Sequence, residues 1–240
     1  METKGKLYMI PQTLGDTSSL DHLSPRIQQI ISELQHFIFE NEKSGRKFIK
    51  KICPHKKQNE LIVKTLNKFT TPSEINKMLL VCSTGASVGM ISDAGCPGIA
   101  DPGAILVENA YKSGIQVIPL VGPSSLLLAL MASGMNGQSF AFHGYLPIEK
   151  SQRKAAIRKL QRESYEKNQT QLFIETPYRN NEMLTSLIQN LDATTKLCVA
   201  CDLNLESEYI KTQTVKEWGK KLPDLHKRPC VFLFEKKNIS

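Results

Sequence analysis

Apolar positions along the chain alternate between two periods. Short apolar runs at 6–11 (KLYMIP), 36–40 (HFIFE), 87–92 (SVGMIS) and 115–120 (IQVIPL) predict strands, each closed by Pro, Gly, Asp or Ser. Between them the spacing turns helical. Residues 24–35 place Ile27, Ile30, Ile31 and Leu34 on one face, with Ser24 as cap and Pro25 at the first helical position. A further helix starts at 44–52, 58–69 (QNELIVKTLNKF) reads as helical, and 71–85 reads as a capped helix ending near Gly85. Residues 103–114 form a helix that stops at Gly114. The segment 124–134 (SSLLLALMASG) is apolar all round, which predicts a buried helix. The second half continues with 140–147 (FAFHGYLP), a basic helix at 151–162, a strand at 170–176 and a helix at 178–191. It closes with a strand-like run at 195–204, a polar helix at 215–222 and a strand at 228–237. This alternation predicts an α/β chain with mostly parallel sheets. The polar joint around 121–125 divides it into two α/β domains, 1–121 and 122–240.

Composition narrows the function. A chain of 240 residues has room for a sizeable core, and no apolar stretch reaches the roughly 18 residues that span a bilayer. Too few apolar residues precede Pro11 for a signal-peptide core, so the cytoplasm is the expected location. The formal charge of +8 suits a polyanionic partner, and basic residues gather at 42–57 and 149–163. Of the six cysteines only Cys198 and Cys201 form a C-x-x-C pair. That pair has no second pair or spaced His for zinc, and it sits in a strand-like run rather than opening a helix. The cysteines therefore read as reduced, structural thiols.

Chemistry concentrates in loops. In open α/β sheets ligands bind beyond the carboxyl ends of strands. Three segments rich in Gly, Pro, Ser or Asp lie there: 11–19 (PQTLGDTSS), 92–103 (SDAGCPGIADPG) and 121–125 (VGPSS). Glycine lets backbone approach a ligand closely, and exposed N–H groups hold anionic groups. The dinucleotide and phosphate-loop patterns are absent, as is any cluster of His and carboxylates at metal spacing. Asp101, followed by Pro-Gly and a helix, reads as a cap, whereas Asp93 reads as a site residue.

The run 88–135 resembles the tetrapyrrole-methylase superfamily, and within it the branch that methylates ribose 2′-oxygens of small-subunit ribosomal RNA. The resemblance rests on Ser92-Asp93-Ala94-Gly95-Cys96-Pro97, Asp101-Pro102-Gly103, Pro119-Leu120-Val121-Gly122-Pro123-Ser124 and Ser133-Gly134. Matches also occur in order at 7–16 (LYMIPQTLGD), 142–147 (FHGYLP) and 172–179 (LFIETPYR). The resemblance implies two α/β domains with S-adenosylmethionine in the cleft between them, and a homodimer. It implies cofactor contacts from Pro11, Ser92, Asp93, Ala94, Gly95, Gly122 and Ser124. Glu175, Thr176 and Ala200 are implied on the adenosine side.

The same resemblance marks departures. Where the ribosomal-RNA branch shows an acidic E-D-T-R run, this chain reads FENEKSGRKF at 39–48. Glu42 and Asp93 are the candidate bases for a ribose hydroxyl, and His143 is a further one. Arg46, Lys47 and Lys50 are candidates for holding substrate phosphates. The expected function is methyl transfer to ribosomal RNA or the ribosomal subunit. The competing readings are a methylase of a small tetrapyrrole-like acceptor and a non-catalytic RNA- or ribosome-binding relative.

Overall fold

The computed structural model describes residues 4–16, 19–219 and 221–237. The chain forms two compact units that divide after Ser124.

The first unit holds a sheet of β1 (Leu7–Met9), β2 (His36–Phe39), β3 (Ile62–Thr65), β4 (Val88–Ile91) and β5 (Val117–Pro119). The strands lie in the order β3-β2-β4-β1-β5, and every neighbouring pair is parallel. Helices α1 (Pro25–Glu33) and α2 (Glu42–Ile52) contribute to the core on one face, with Ile10, Phe37, Phe39 and Ile91. Helices α3 (Pro72–Met78) and α4 (Gly103–Lys112) contribute to the other, with Leu7, Met9, Ile38, Val88 and Met90. Both faces are covered, so the central strands are apolar throughout instead of alternating.

Caps set the helix starts. Ser24 accepts from the Arg26 N–H at 3.2 Å, and Pro25 opens α1. Asn41 accepts from the Lys43 and Ser44 N–H groups at 2.9 and 3.3 Å, which starts α2 at Glu42, ahead of the expected 44. Thr71 and Glu74 form a reciprocal capping box on α3, which ends at Met78 and gives way to a 3-10 turn over Leu80–Thr84.

The second unit holds β6 (Phe140–Tyr145), β7 (Thr170–Ile174), β8 (Lys196–Cys201), β9 (Tyr209–Thr214) and β10 (Cys230–Glu235). Their order is β6-β7-β10-β8-β9, with helices α5 (Ser125–Ser133), α6 (Lys150–Lys167), α7 (Asn180–Asn190) and α8 (Val215–Trp218). Phe173 stacks on Phe232 at 5.6 Å between centroids. The buried Trp218 donates its indole N–H to the Leu197 carbonyl at 2.8 Å.

Several expectations change. Only β6 and β7 pair in parallel here; β7–β10, β10–β8 and β8–β9 are antiparallel. The β8–β9 link, 202–208, is too short for the crossover that a parallel pair requires. Residues 58–69 are not a helix but a 3-10 turn (Gln58–Glu60) followed by β3. β3 ends its sheet, so its residues alternate between half-buried and exposed and carry no strong apolar signal. The edge strand β9 (YIKTQT) escaped the pattern for the same reason. Helix α5 is not buried all round: Leu127 and Met131 are 52% and 79% exposed. A single short helix lying on a sheet covers only the side that faces the strands. Finally, Cys201 and Cys230 are not reduced thiols. They face each other across β8 and β10, with Cα atoms 4.2 Å apart, and form a disulfide. Their 29-residue separation hides that register from the sequence.

One contact ties fold to site. A Cβ added at Gly45 on α2 would lie 2.4 Å from the fully buried Phe39 ring. Overpacking of about 1–3 kcal/mol outweighs the gain of about 1 kcal/mol from replacing a helical glycine by alanine. Gly45→Ala is therefore expected to lower stability by up to about 2 kcal/mol in urea unfolding of the full chain.

Candidate functional site

Because every strand of the first sheet points the same way, the loops leaving their carboxyl ends emerge along one edge. β4, β1 and β5 are adjacent, so segments 92–103, 10–16 and 120–124 leave side by side. Short contacts knit them together. The Gln12 N–H donates to the Gly95 carbonyl at 3.0 Å, and the Gln12 side-chain amide donates to the Ser92 carbonyl. Gly95 takes φ +65°, and an added Cβ there would stand 3.1 Å from Leu14 and 3.3 Å from the Pro123 carbonyl. A Cβ at Gly122 would lie 2.3 Å from that of Pro11, so only glycine fits between these loops. The Cys96 thiol lies 3.3 Å from the Pro123 carbonyl oxygen.

Asp101 fixes the outer half of the long loop. One of its oxygens accepts from the Gly98 and Gly103 N–H groups, both at 2.7 Å. This is the capping role expected of it, and burial raises its pKa.

The structure thus brings Pro11, Ser92, Asp93, Ala94, Gly95, Gly122 and Ser124 to one edge of the first unit. Ser92 is buried, while Asp93 is exposed and accepts from the Ser44 hydroxyl. The other three cofactor candidates belong to the second unit. The Glu175 side chain is fully buried and paired with Arg179 at 2.6 Å, and Thr176 donates its N–H to the same carboxylate. Ala200 lies one residue before the end of β8 and is fully buried. His143 meets the Gln171 side chain at 2.6 Å, a partner within the sheet.

On α2, Glu42 pairs with Arg46 at 2.7 Å, and Arg46 also donates to the Gln58 carbonyl at 2.7 Å. Lys47 pairs with Asp16 at 2.6 Å, which ties α2 to the first loop, and Lys50 is exposed.

The structure adds a carboxylate that the sequence reading passed over. Glu40 follows β2 directly and accepts from the Asp93 N–H at 3.2 Å. Burial raises its pKa, and the Asp93 and Asp101 charges add to the shift against the opposing Asp93 N–H bond. The adjacency of β2 and β4 was the missing signal, since Glu40 and Asp93 are far apart in sequence. Glu40, Asn41, Asp93, Asp101, Lys68 and Phe69 line a pocket of about 580 Å³ at the ends of β3, β2 and β4. A pocket of about 630 Å³ beside α1 and residues 53–60 lies away from the strand ends. Among the described residues no three His, Cys, Asp or Glu side chains group as a metal site.

Residues 6–218 match the family described as Tetrapyrrole (Corrin/Porphyrin) Methylases. A protein of Buchnera aphidicola named ribosomal RNA small subunit methyltransferase I is 26% identical over 227 residues, 93% of this chain and 75% of its own length. The protein of the same name from Xylella fastidiosa is 33% identical over 187 residues, 78% of this chain and 64% of its own. The chain thus spans less than two thirds of that second relative. The crystal structure of the methyltransferase CobJ superposes with a TM-score of 0.63 at 15% identity, covering 97% of this chain and 94% of that one. At that identity the likeness is one of fold.

The Asp101 staple makes a direct prediction. Asp101→Ala is expected to lower hydrogen-exchange protection of the Gly98 and Gly103 amides by about ten-fold, while Asp101→Asn, which keeps the accepting oxygen, preserves it. Amide exchange followed by NMR distinguishes the two.

Proposed function

The chain belongs to the tetrapyrrole methylase family, and we propose that it is an S-adenosylmethionine-dependent methyltransferase acting on a ribose 2′-oxygen of small-subunit ribosomal RNA. The observation that carries this reading is the gathering of three glycine- and proline-bearing loops at the ends of β4, β1 and β5. The names of the relatives support the acceptor, as does the charge of +8.

The residues present suit the cofactor. It carries a sulfonium and an ammonium group against one carboxylate, and the edge offers both main-chain groups around Gly95 and the carboxylate of Asp93. Pro11, Ser92, Asp93, Ala94, Gly95, Gly122 and Ser124 are the residues that would hold it. When bound, it supplies an electrophilic methyl group. The protein's own work is to align the acceptor and exclude water. Of the two carboxylates that the sequence offers as bases, Glu42 is engaged by Arg46, whereas Asp93 stands at the strand end. The reading therefore keeps Asp93 at the site. Arg46, Lys47 and Lys50 give α2 a basic face suited to phosphates.

Self-association as a homodimer belongs to the same reading, supported by the exposed apolar side chains Leu127 and Met131 on α5. So does a cytoplasmic location, where ribosomal RNA is found. Among the described residues no helix is long and apolar enough to cross a membrane.

Calorimetry with S-adenosylmethionine is expected to show stoichiometric binding, and nucleotide mapping of ribosomal RNA from a deletion strain is expected to show one missing ribose methylation. Failure to bind the cofactor overturns the reading. Transfer only to a tetrapyrrole precursor in vitro, with ribosomal RNA unchanged in the deletion, replaces the acceptor.

A further inference from the structure

We propose that the pocket at the carboxyl ends of β3, β2 and β4 receives the acceptor nucleotide, with Phe69 stacking on a base and Glu40 facing the ribose that is methylated. This rests on the function proposed above and assigns parts of its acceptor site.

The first argument is topological. The three cofactor-type loops leave β4, β1 and β5, while the pocket forms on the other side of β4, from residues that follow β3 and β2. Segment 92–103 borders both groups, so a ligand in the pocket lies beside the loops assigned to the donor. Its volume of about 580 Å³ falls in the range of small-ligand pockets.

The second argument is Phe69. Its ring is 78% exposed, although nothing in the fold of the first unit requires an aromatic there. The turn that presents it is stiff: Phe69 donates its N–H to the Asn67 side chain at 2.9 Å, and Asn67 donates its own to the Thr70 hydroxyl at 2.9 Å. The Thr70 N–H also donates to the Asn67 carbonyl at 3.0 Å. An aromatic held this way stacks on a base with little loss of backbone freedom. The Lys68 ammonium lies over one face of the ring, 5.0 Å from its centroid, so a base stacks on the other face and the positive charge stands near a neighbouring phosphate.

The third argument is Glu40. The Asp93 N–H holds one carboxylate oxygen at 3.2 Å and fixes the side chain's direction at the pocket wall. In the transfer, the ribose 2′-oxygen forms a bond to the methyl carbon. The carbon–sulfur bond breaks with its electron pair left on sulfur, and the hydroxyl proton passes to the Glu40 carboxylate. Burial and the facing Asp93 and Asp101 carboxylates make Glu40 more basic than an ordinary glutamate, which favours that proton transfer. Lys68 is the cation among the lining residues.

The test uses the full chain, a fluorescent single-stranded RNA and isolated small-subunit ribosomal RNA. Phe69→Ala, at an exposed position, is expected to weaken RNA binding by about ten-fold, with S-adenosylmethionine affinity unchanged and binding restored by Phe69→Trp. Glu40→Gln, which keeps an acceptor for the Asp93 N–H, is expected to bind RNA within about two-fold of the parent yet lose methyl transfer by about 100-fold or more. The parent's rate is expected to fall on the acid side at a higher pH than an ordinary glutamate would give, with that limb absent from the residual rate of Glu40→Gln. Equal RNA affinity of the parent and Phe69→Ala, or full activity of Glu40→Gln, overturns the assignment while the methyltransferase reading stands. A parent chain that binds no S-adenosylmethionine removes both.

Discussion

The parallel direction of five strands is the constraint from which the rest of the first unit follows. A parallel pair cannot close through a tight turn, so each strand must be followed by a crossover, and each crossover must leave from the same edge of the sheet. That edge then collects every loop that follows a strand. Winding adds a second consequence. Helices α1 and α2 join the core on one face and α3 and α4 on the other, so the sheet is sealed on both sides and its carboxyl edge is left for ligands.

Adjacency alone does not make a site, and the loops are held by contacts that tolerate little change. Gly122 accommodates Pro11, Gly95 accommodates Leu14 and the Pro123 carbonyl, and Asp101 staples Gly98 to Gly103. Each of these joins segments that are distant in sequence or reverses the chain sharply. Their combined effect is to present main chain, rather than long side chains, along the edge between β4 and β5. On the other side of β4 the surface changes character: carboxylates, a lysine and an exposed ring replace glycine and proline.

Much of this was legible in the residues themselves. Buried strands such as β1, β2 and β4, the caps at Ser24 and Thr71, the stop at Gly114 and the loops around Gly95 and Gly122 all carry local signals. Local signals failed where neighbours supply the information. Glu40 passed unnoticed beside the more conspicuous Glu42, because only strand pairing sets it against Asp93. The disulfide between Cys201 and Cys230 depends on antiparallel register, which spacing does not reveal. Helix α5 looked uniformly buried because apolar composition does not say how many sides a neighbour covers. Strand β3 read as part of a helix and β9 went unread, because each lies at a sheet edge with a mixed, partly exposed sequence that carries no strong apolar period.

That last feature protects the chain as well as disguising it. A sheet that ends in a long, flat, apolar strand offers a template on which another molecule can add a strand of its own. β3 is four residues long and carries Lys64, and β9 carries Lys211 among polar neighbours. A strand from a second molecule docking there would have to accommodate an ammonium group and would gain little apolar contact. The mixed composition that makes these segments hard to recognise also guards one margin of each sheet against open-ended extension and precipitation.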